Sequence, residues 1–285
     1  MKKTPKPRDT VQRLKEAIHK QPAVFAVYVA LRLIVLAELV MSIIRGEYES
    51  AFICLLVLAL FILPFFIQQN FGIQLPSVLE IIILLFIFAA EILGELECYF
   101  ITYPNWDSML HTTTGFLCAA TGFALIDILN RNSRIKFQLS PVYVALAAFC
   151  FSMTVGVLWE FFEFSMDRLF HMDMQKDTIV HTISSVMLDP TNSNIPITID
   201  GITSVAVNGQ DLGFSGYLDI GLYDTMEDLF VNFIGAVTFS VIGYFYIKHR
   251  GKGKLAQAFI PTLSEDEDKG ASLPEGDPGA PPESE

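Results

Sequence analysis

What limits this chain before anything else is a recurrence of apolar runs long enough to cross a lipid bilayer. A hydrocarbon core of about 30 Å takes about 20 mostly apolar helical residues, and only a helix or a closed barrel satisfies every backbone polar group within it. Runs of that kind fall at about 23–44, 51–68, 77–97, 109–129, 141–162 and 225–246. They predict an all-α membrane protein of about six transmembrane helices. Composition points the same way, since 52% hydrophobic and only 18% charged residues lie outside the range of soluble domains. Pro64 inside the second run predicts a kink, and Pro141 a helix start. Cys54, Cys98, Cys118 and Cys150 are scattered, which indicates neither a disulfide framework nor a thiolate metal site.

Basic residues cluster in the leader before the first run, in Arg131–Lys136 and in Lys248–Lys254. With six spans these places share one side, so both termini of a multi-pass plasma (inner) membrane protein are expected in the cytoplasm. Trp106 and Trp159, the only tryptophans, then lie at the outer boundary, where amphipathic rings prefer to sit. Residues 1–22 read as a basic cytoplasmic leader. Its Val11, Leu14, Ala17 and Ile18 share a helical face that suits a helix on the membrane surface, and a solvated leader fits equally well. Residues 23–250 read as the transmembrane domain, and 251–285 as a disordered acidic cytoplasmic tail. Between the last two spans an extracytoplasmic insert, 163–223, alternates around Asp200-Gly201, from Ile195–Ile199 to Ile202–Val207. That pattern predicts a small β-hairpin.

Against so apolar a background, the charged residues near the span ends stand out. Asp107 and His111 are four apart, hence on one helical face. They are either an oxygen and a nitrogen ligand, with the carboxylate able to orient the imidazole for acid–base work, or a helix cap beside a histidine bonded to its neighbour. Glu160 and Glu163 are expected at a helix C-terminal end, where the macrodipole disfavours negative charge. Arg168, headgroup water, a bound cation or protonation would each compensate. Asp224 suits a helix N-cap, and Asp228 lies deeper on the same face, where a cap explains less. Three spans thus put acid or imidazole groups at one depth and on one side. Oxygen and nitrogen donors without sulfur suit a divalent cation (Mg, Mn, Ca or Fe) better than a structural zinc. A metal-free proton or hydrogen-bond network is the other reading. Within the bilayer, Arg32 is expected to form a buried ion pair with Glu38 or Glu91.

The runs Asp107-Ser108-Met109-Leu110-His111 with Gly115, Trp159-Glu160-Phe161-Phe162-Glu163-Phe164, and Asp224-Thr225-Met226-Glu227-Asp228 leading to Gly235-Ala236 resemble the uncharacterised YjdF-like inner-membrane family. More distantly they resemble VanZ-like membrane proteins. The resemblance covers about 105–245 and implies that Asp107, His111, Glu160, Glu163, Asp224 and Asp228 belong to one site. The chain departs from the pattern in its long insert before Asp224 and in Phe164, where the family has Trp. A family without a settled biochemical function supports the site more than any activity.

The reading that follows is an integral membrane protein with an outward-facing Asp/Glu/His pocket. As a divalent-cation-dependent enzyme or binder, it would act on a cell-envelope, lipid-linked or small polar ligand. In that version Asp107 and His111 are the catalytic pair, and His111, Glu160, Glu163, Asp224 and Asp228 the metal ligands. One alternative is a cation-coupled transporter with Arg32, Glu38 and Glu91 along its path. Another is a structural or interaction protein of the cell envelope, docking through the hairpin. Membrane lipid is an implied partner; nothing in the sequence supports nucleic-acid binding.

Overall fold

A computed structural model describes residues 21–71, 73–131, 139–249 and 257–263. The basic leader through residue 20, read as a surface helix or a solvated segment, the basic loop at 132–138 and the acidic stretch after 263 lie outside the described residues. Six helices are long and apolar enough to cross a membrane: Pro22–Arg45, Tyr48–Asn70, Ser77–Leu96, Trp106–Asp127, Pro141–Phe170 and Leu222–Lys248. The chain is therefore an all-α protein with six candidate spans and a few short antiparallel strand pairs. Leu33, Phe52, Phe65, Phe161 and Phe230 are exposed along these helices, which suits surfaces that face lipid and not water. All four cysteines are free thiols.

Local sequence explains the ends and breaks. Helix α1 (Pro22–Arg45) opens on proline, whose missing N–H is no loss in a first turn. It closes on Gly46 at φ 77°, with the Gly46 and Glu47 amides donating to the Ile43 and Ser42 carbonyls. The second span breaks into α2 (Tyr48–Leu60) and α3 (Leu63–Phe71), because Pro64 cannot donate to the preceding turn. The third begins as α4 (Ser77–Ile87) and continues as a nine-residue π-helix, Phe88–Leu96, which carries Glu91 and Glu95. A short α5 (Tyr99–Thr102) leads into α6 (Trp106–Arg131), followed by α7 (Pro141–Phe170) and α8 (Leu222–Lys248).

The chain divides into two compact units. The first comprises residues 1–106, 120–148 and 240–285. Its core joins Leu31 and Val35 of α1, Cys54 and Val57 of α2, Phe61, Leu84 and Ile87 of α4, and Ile92 of the π-helix. Gly243 packs on the ring of Phe123 in the same unit. Residues 257–263, inside the expected tail, are ordered enough to place Ile260 in a buried position. There Thr262–Leu263 (β8) pairs with Ile73–Gln74 (β1).

Arg32 does not meet an acid. Its Nη2 donates to the Tyr28 hydroxyl at 2.8 Å, its guanidinium lies 4.2 Å from that ring's centroid, and the Tyr28 hydroxyl donates in turn to the Phe61 carbonyl in the α2–α3 break. Among the described residues no ion pair joins Arg32 to Glu38 or Glu91. The reason is helical phase: Tyr28 is four residues away on one face, whereas Glu38 is six away and points elsewhere. A ring face and one oxygen stabilise the cation in place of the expected carboxylates.

The second unit comprises residues 107–119 and 149–239. Helix α7 runs eight residues past the expected 162, to Phe170. Glu160 and Glu163 therefore sit inside the helix and not at its C-terminal end, and the macrodipole argument lapses. Arg168 takes the favourable last-turn place, and His171 at φ 54° leaves the helix. The hairpin is also displaced. Strand β4 (Ile197–Ile199) pairs with β3 (Ile183–Ser185), and the Ile202 amide donates to the His181 carbonyl. The tight hairpin joins β5 (Ala206–Val207) to β6 (Gln210–Asp211) through Asn208 and Gly209, with φ 54° and 82°. A type I′ turn needs positive φ at both central residues, which Asn-Gly supplies. At Asp200-Gly201 only the glycine is left-handed, and Asp200 accepts from the Thr182 hydroxyl instead. Tyr217–Leu218 (β7) pairs with Ile179–Val180 (β2).

Candidate functional site

Small residues let three helices of the second unit approach closely. A Cβ on Gly235 of α8 would overlap the Thr112 carbonyl oxygen of α6 and come within 2.8 Å of the Phe116 nitrogen. On Gly115 of α6 it would overlap the Asn232 carbonyl, and on Gly156 of α7 it would meet Asn232 Nδ2 at 2.6 Å. Asn232 is fully buried where the three helices meet, its Nδ2 donating to Met153 Sδ at 3.5 Å. The Ser152 hydroxyl donates to the Gly115 carbonyl at 2.7 Å, tying α7 to α6. Two edge-on ring pairs, Phe116–Phe239 and Phe149–Phe233, complete the seam. Gly115 and Gly235 stood in the motifs that carry the family resemblance. Asn232 went unanticipated, although an amide one turn beyond Asp228 in an apolar run was the signal.

This seam brings the acid-bearing turns together. Asp107 and His111 are on α6, Glu160 and Glu163 on α7, and Asp224 and Asp228 on α8. His111 Nε2 lies 3.6 Å from Asp107 Oδ1 and 3.7 Å from Asp228 Oδ2, and His111 Nδ1 lies 4.0 Å from Glu160 Oε1. One donor atom each from His111, Glu160, Glu163 and Asp228 fall within 4.8 Å of one another. The same holds for Asp107, Asp224 and Asp228. The six residues thus form two overlapping groups that share Asp228.

Glu160, Glu163 and Asp228 are each more than nine-tenths buried, and Oε2, Oε2 and Oδ2 respectively have no hydrogen-bond partner. No Lys or Arg side chain lies within ion-pair distance of any of the five carboxylates among the described residues. Arg168, a candidate compensator, instead lies over the Phe164 ring at 5.9 Å. Glu163 Oε1 accepts from Trp159 Nε1 at 2.9 Å, so the indole one turn back on α7 orients a site carboxylate. Glu227 is exposed and accepts from the Ser108 hydroxyl.

The chain after α7 turns back onto this group. Asp167 accepts from the Met174 and Gln175 amides, Gln175 Nε2 donates to the Thr225 hydroxyl at 2.6 Å, and the Lys176 amide donates to Asp224 Oδ2 at 2.9 Å. Asp224 is thus held by the loop and does not cap α8. That role goes to Asp219, which accepts from the Gly221 and Tyr223 amides while also accepting from the Thr178 amide. Farther into the insert, Asp189 closes its own turn, accepting from the amides and hydroxyls of Thr191 and Ser193. Those donors hold its carboxyl well below the usual carboxylate range.

The arrangement can place hard oxygen donors and one imidazole around a small cation. Bonds of about 2.0–2.6 Å put donors on opposite sides of an ion about 4.0–5.2 Å apart, which is compatible with donor atoms that all lie within 4.8 Å of one another. A family model described as "Predicted membrane protein (DUF2238)" matches residues 27–249, a range that contains every residue of the cluster. No curated protein matches the chain, and no solved structure does.

Proposed function

The chain belongs to the DUF2238 family of predicted membrane proteins, in keeping with its YjdF-like resemblance, and on that premise we propose that it is a multi-pass protein that binds a divalent cation. The cation is Mg, Mn, Ca or Fe, and the ligand on which it acts is a cell-envelope or lipid-linked one. Both termini lie in the cytoplasm of the plasma membrane, and the acid-bearing helix turns face outward, following the distribution of basic residues. A basic leader, a transmembrane domain and an acidic tail make up the chain in this reading.

The observation that carries the proposal is the trio of buried carboxylates, each with one oxygen lacking a hydrogen-bond partner. Ionised carboxylates removed from water without compensation cost several kcal/mol each, which a protein avoids by pairing them, protonating them or giving them a metal. Among the described residues Lys and Arg are absent from ion-pair range and sulfur from the donor set, and an imidazole stands among the oxygens. That chemistry favours a hard divalent cation. Bound there, the cation would supply Lewis acidity to a phosphoryl or carbonyl oxygen. His111, flanked by Asp107, would move the proton, and the Gln175–Lys176 strap would help to hold Asp224 in place.

The experiment is capture of cell-envelope lipids on purified full-length protein loaded with Mn²⁺, beside His111→Ala, followed by a turnover assay on the captured fraction. Enrichment of an anionic or lipid-linked species, with cation-dependent turnover lost in His111→Ala, is the expected result. Identical lipid profiles and no retained metal overturn the proposal.

A further inference from the structure

Resting on the cation-site reading above, the geometry points to a pair of divalent cations bridged by Asp228, and not a single ion. The two donor groups within 4.8 Å share one residue only, Asp228. His111, Glu160, Glu163 and Asp228 surround the more buried position, and Asp107, Asp224 and Asp228 the more accessible one. Asp228 is 2% exposed and its Oδ2 has no hydrogen-bond partner. A carboxylate so placed, with both donor groups reaching it, is arranged as a bridging ligand. Two-cation sites hold their ions about 3.5–4 Å apart by such bridges.

Charge argues in the same direction. Ionised as cation ligands, the five carboxylates would bring five negative charges, with no lysine or arginine in ion-pair range among the described residues. One divalent cation would leave three uncompensated, and two would leave one. The donor sets also differ in kind. The buried position has an imidazole and three carboxylates. The accessible one has three carboxylates, of which Asp224 is already oriented by the Lys176 amide, and so few protein ligands would leave coordination positions for water or an incoming ligand. The accessible ion is therefore the one that exchanges first and meets the ligand. A cation pair clamps two oxygens of one group, which suits a phosphoryl-bearing ligand over an uncharged one.

The test is the Mn²⁺ content and electron paramagnetic resonance spectrum of the full chain, equilibrated with Mn²⁺ alone and desalted. About two ions per chain with an exchange-coupled spectrum are expected. Asp224→Asn and Asp107→Asn should each retain about one ion and give the spectrum of an isolated Mn²⁺. One ion in the unaltered protein, unaffected by either substitution, overturns the pair and leaves the single-cation proposal standing. Two ions without coupling overturn the Asp228 bridge. No ion overturns both proposals. Because stoichiometry and coupling are read on the unaltered chain, a variant that fails to fold does not decide the matter.

Discussion

Replacing Gly235 with alanine should separate α6 from α8 and disturb the cation site without touching a charged residue. The added methyl would overlap the Thr112 carbonyl oxygen and sit 2.8 Å from the Phe116 nitrogen, where ordinary contact begins near 3.4 Å. Both colliding atoms are backbone, so no rotamer relieves the overlap, and the helices must part by at least about 0.6 Å. Overpacking of this kind costs about 1–3 kcal/mol, and the backbone collision puts the cost toward the upper end. Thr112 is the neighbour of His111, and Gly235 lies two turns beyond Asp228 on α8, so the wedge acts on the 3.7 Å approach of His111 Nε2 to Asp228 Oδ2. Metal sites tolerate ligand displacements of about 0.2 Å, which makes a loss of about tenfold in Mn²⁺ affinity the expected consequence. The assay is thermal unfolding in detergent with and without Mn²⁺, together with Mn²⁺ titration. Gly156→Ala is the internal control. Its methyl would meet the end of the Asn232 side chain at 2.6 Å, which can rotate, so its effect should be smaller. Gly235→Ala with the melting temperature and affinity of the unaltered protein, or Gly156→Ala proving the more damaging, would refute the reasoning.

Trp159→Phe removes the indole donor to Glu163 Oε1 and should weaken Mn²⁺ binding by about tenfold, or about 1.4 kcal/mol; unchanged affinity on titration would show that the ring does not orient the carboxylate. Tyr28→Phe should destabilise the first unit by about 1–2 kcal/mol, because Arg32 loses its hydroxyl acceptor, while Glu38→Gln should stay within about 0.5 kcal/mol; chemical denaturation giving the reverse order would restore the acid as the partner of Arg32. Asp189 has a folded-state pKa below its unfolded value, so its contribution is complete above about pH 4 and is lost as pH falls through the lower folded value. Amide exchange at Thr191 and Ser193 should accordingly be faster in Asp189→Ala than in the unaltered chain at neutral pH, with the difference disappearing in strong acid; equal rates at neutral pH would contradict the turn's dependence on that carboxylate.

The spans were legible because hydropathy integrates over about twenty residues and tolerates local error. The ends were less so. Charged residues from Glu160 to Arg168 read as leaving the membrane, yet backbone hydrogen bonding carries α7 on to Phe170 regardless. That the six side chains cluster was legible because a spacing of four (Asp107/His111, Asp224/Asp228) or three (Glu160/Glu163) fixes a face on each span, and the three faces fell at one expected depth. How the six residues divide was not, since it depends on the Gly115, Gly156, Gly235 and Asn232 seam, a property of three-dimensional approach that no single span carries. The insert misled for a different reason. Alternation and an Asp-Gly pair matched a hairpin, but Ile183–Ser185 offered Ile197–Ile199 a better partner, and the stronger Asn208-Gly209 turn signal was passed over. Arg32 was assigned by charge alone, and the ring and hydroxyl of Tyr28, one turn back, proved the nearer partner.

The central claim is that buried carboxylates around His111 exist to hold a cation. Its most direct test is elemental analysis of the detergent-purified full chain, equilibrated with Mn²⁺ and desalted, beside Glu160→Gln treated identically. Retained metal in the unaltered protein, and clearly less of it in the variant, is the predicted result. An unaltered protein that retains none, or a Glu160→Gln protein that holds just as much, would contradict it.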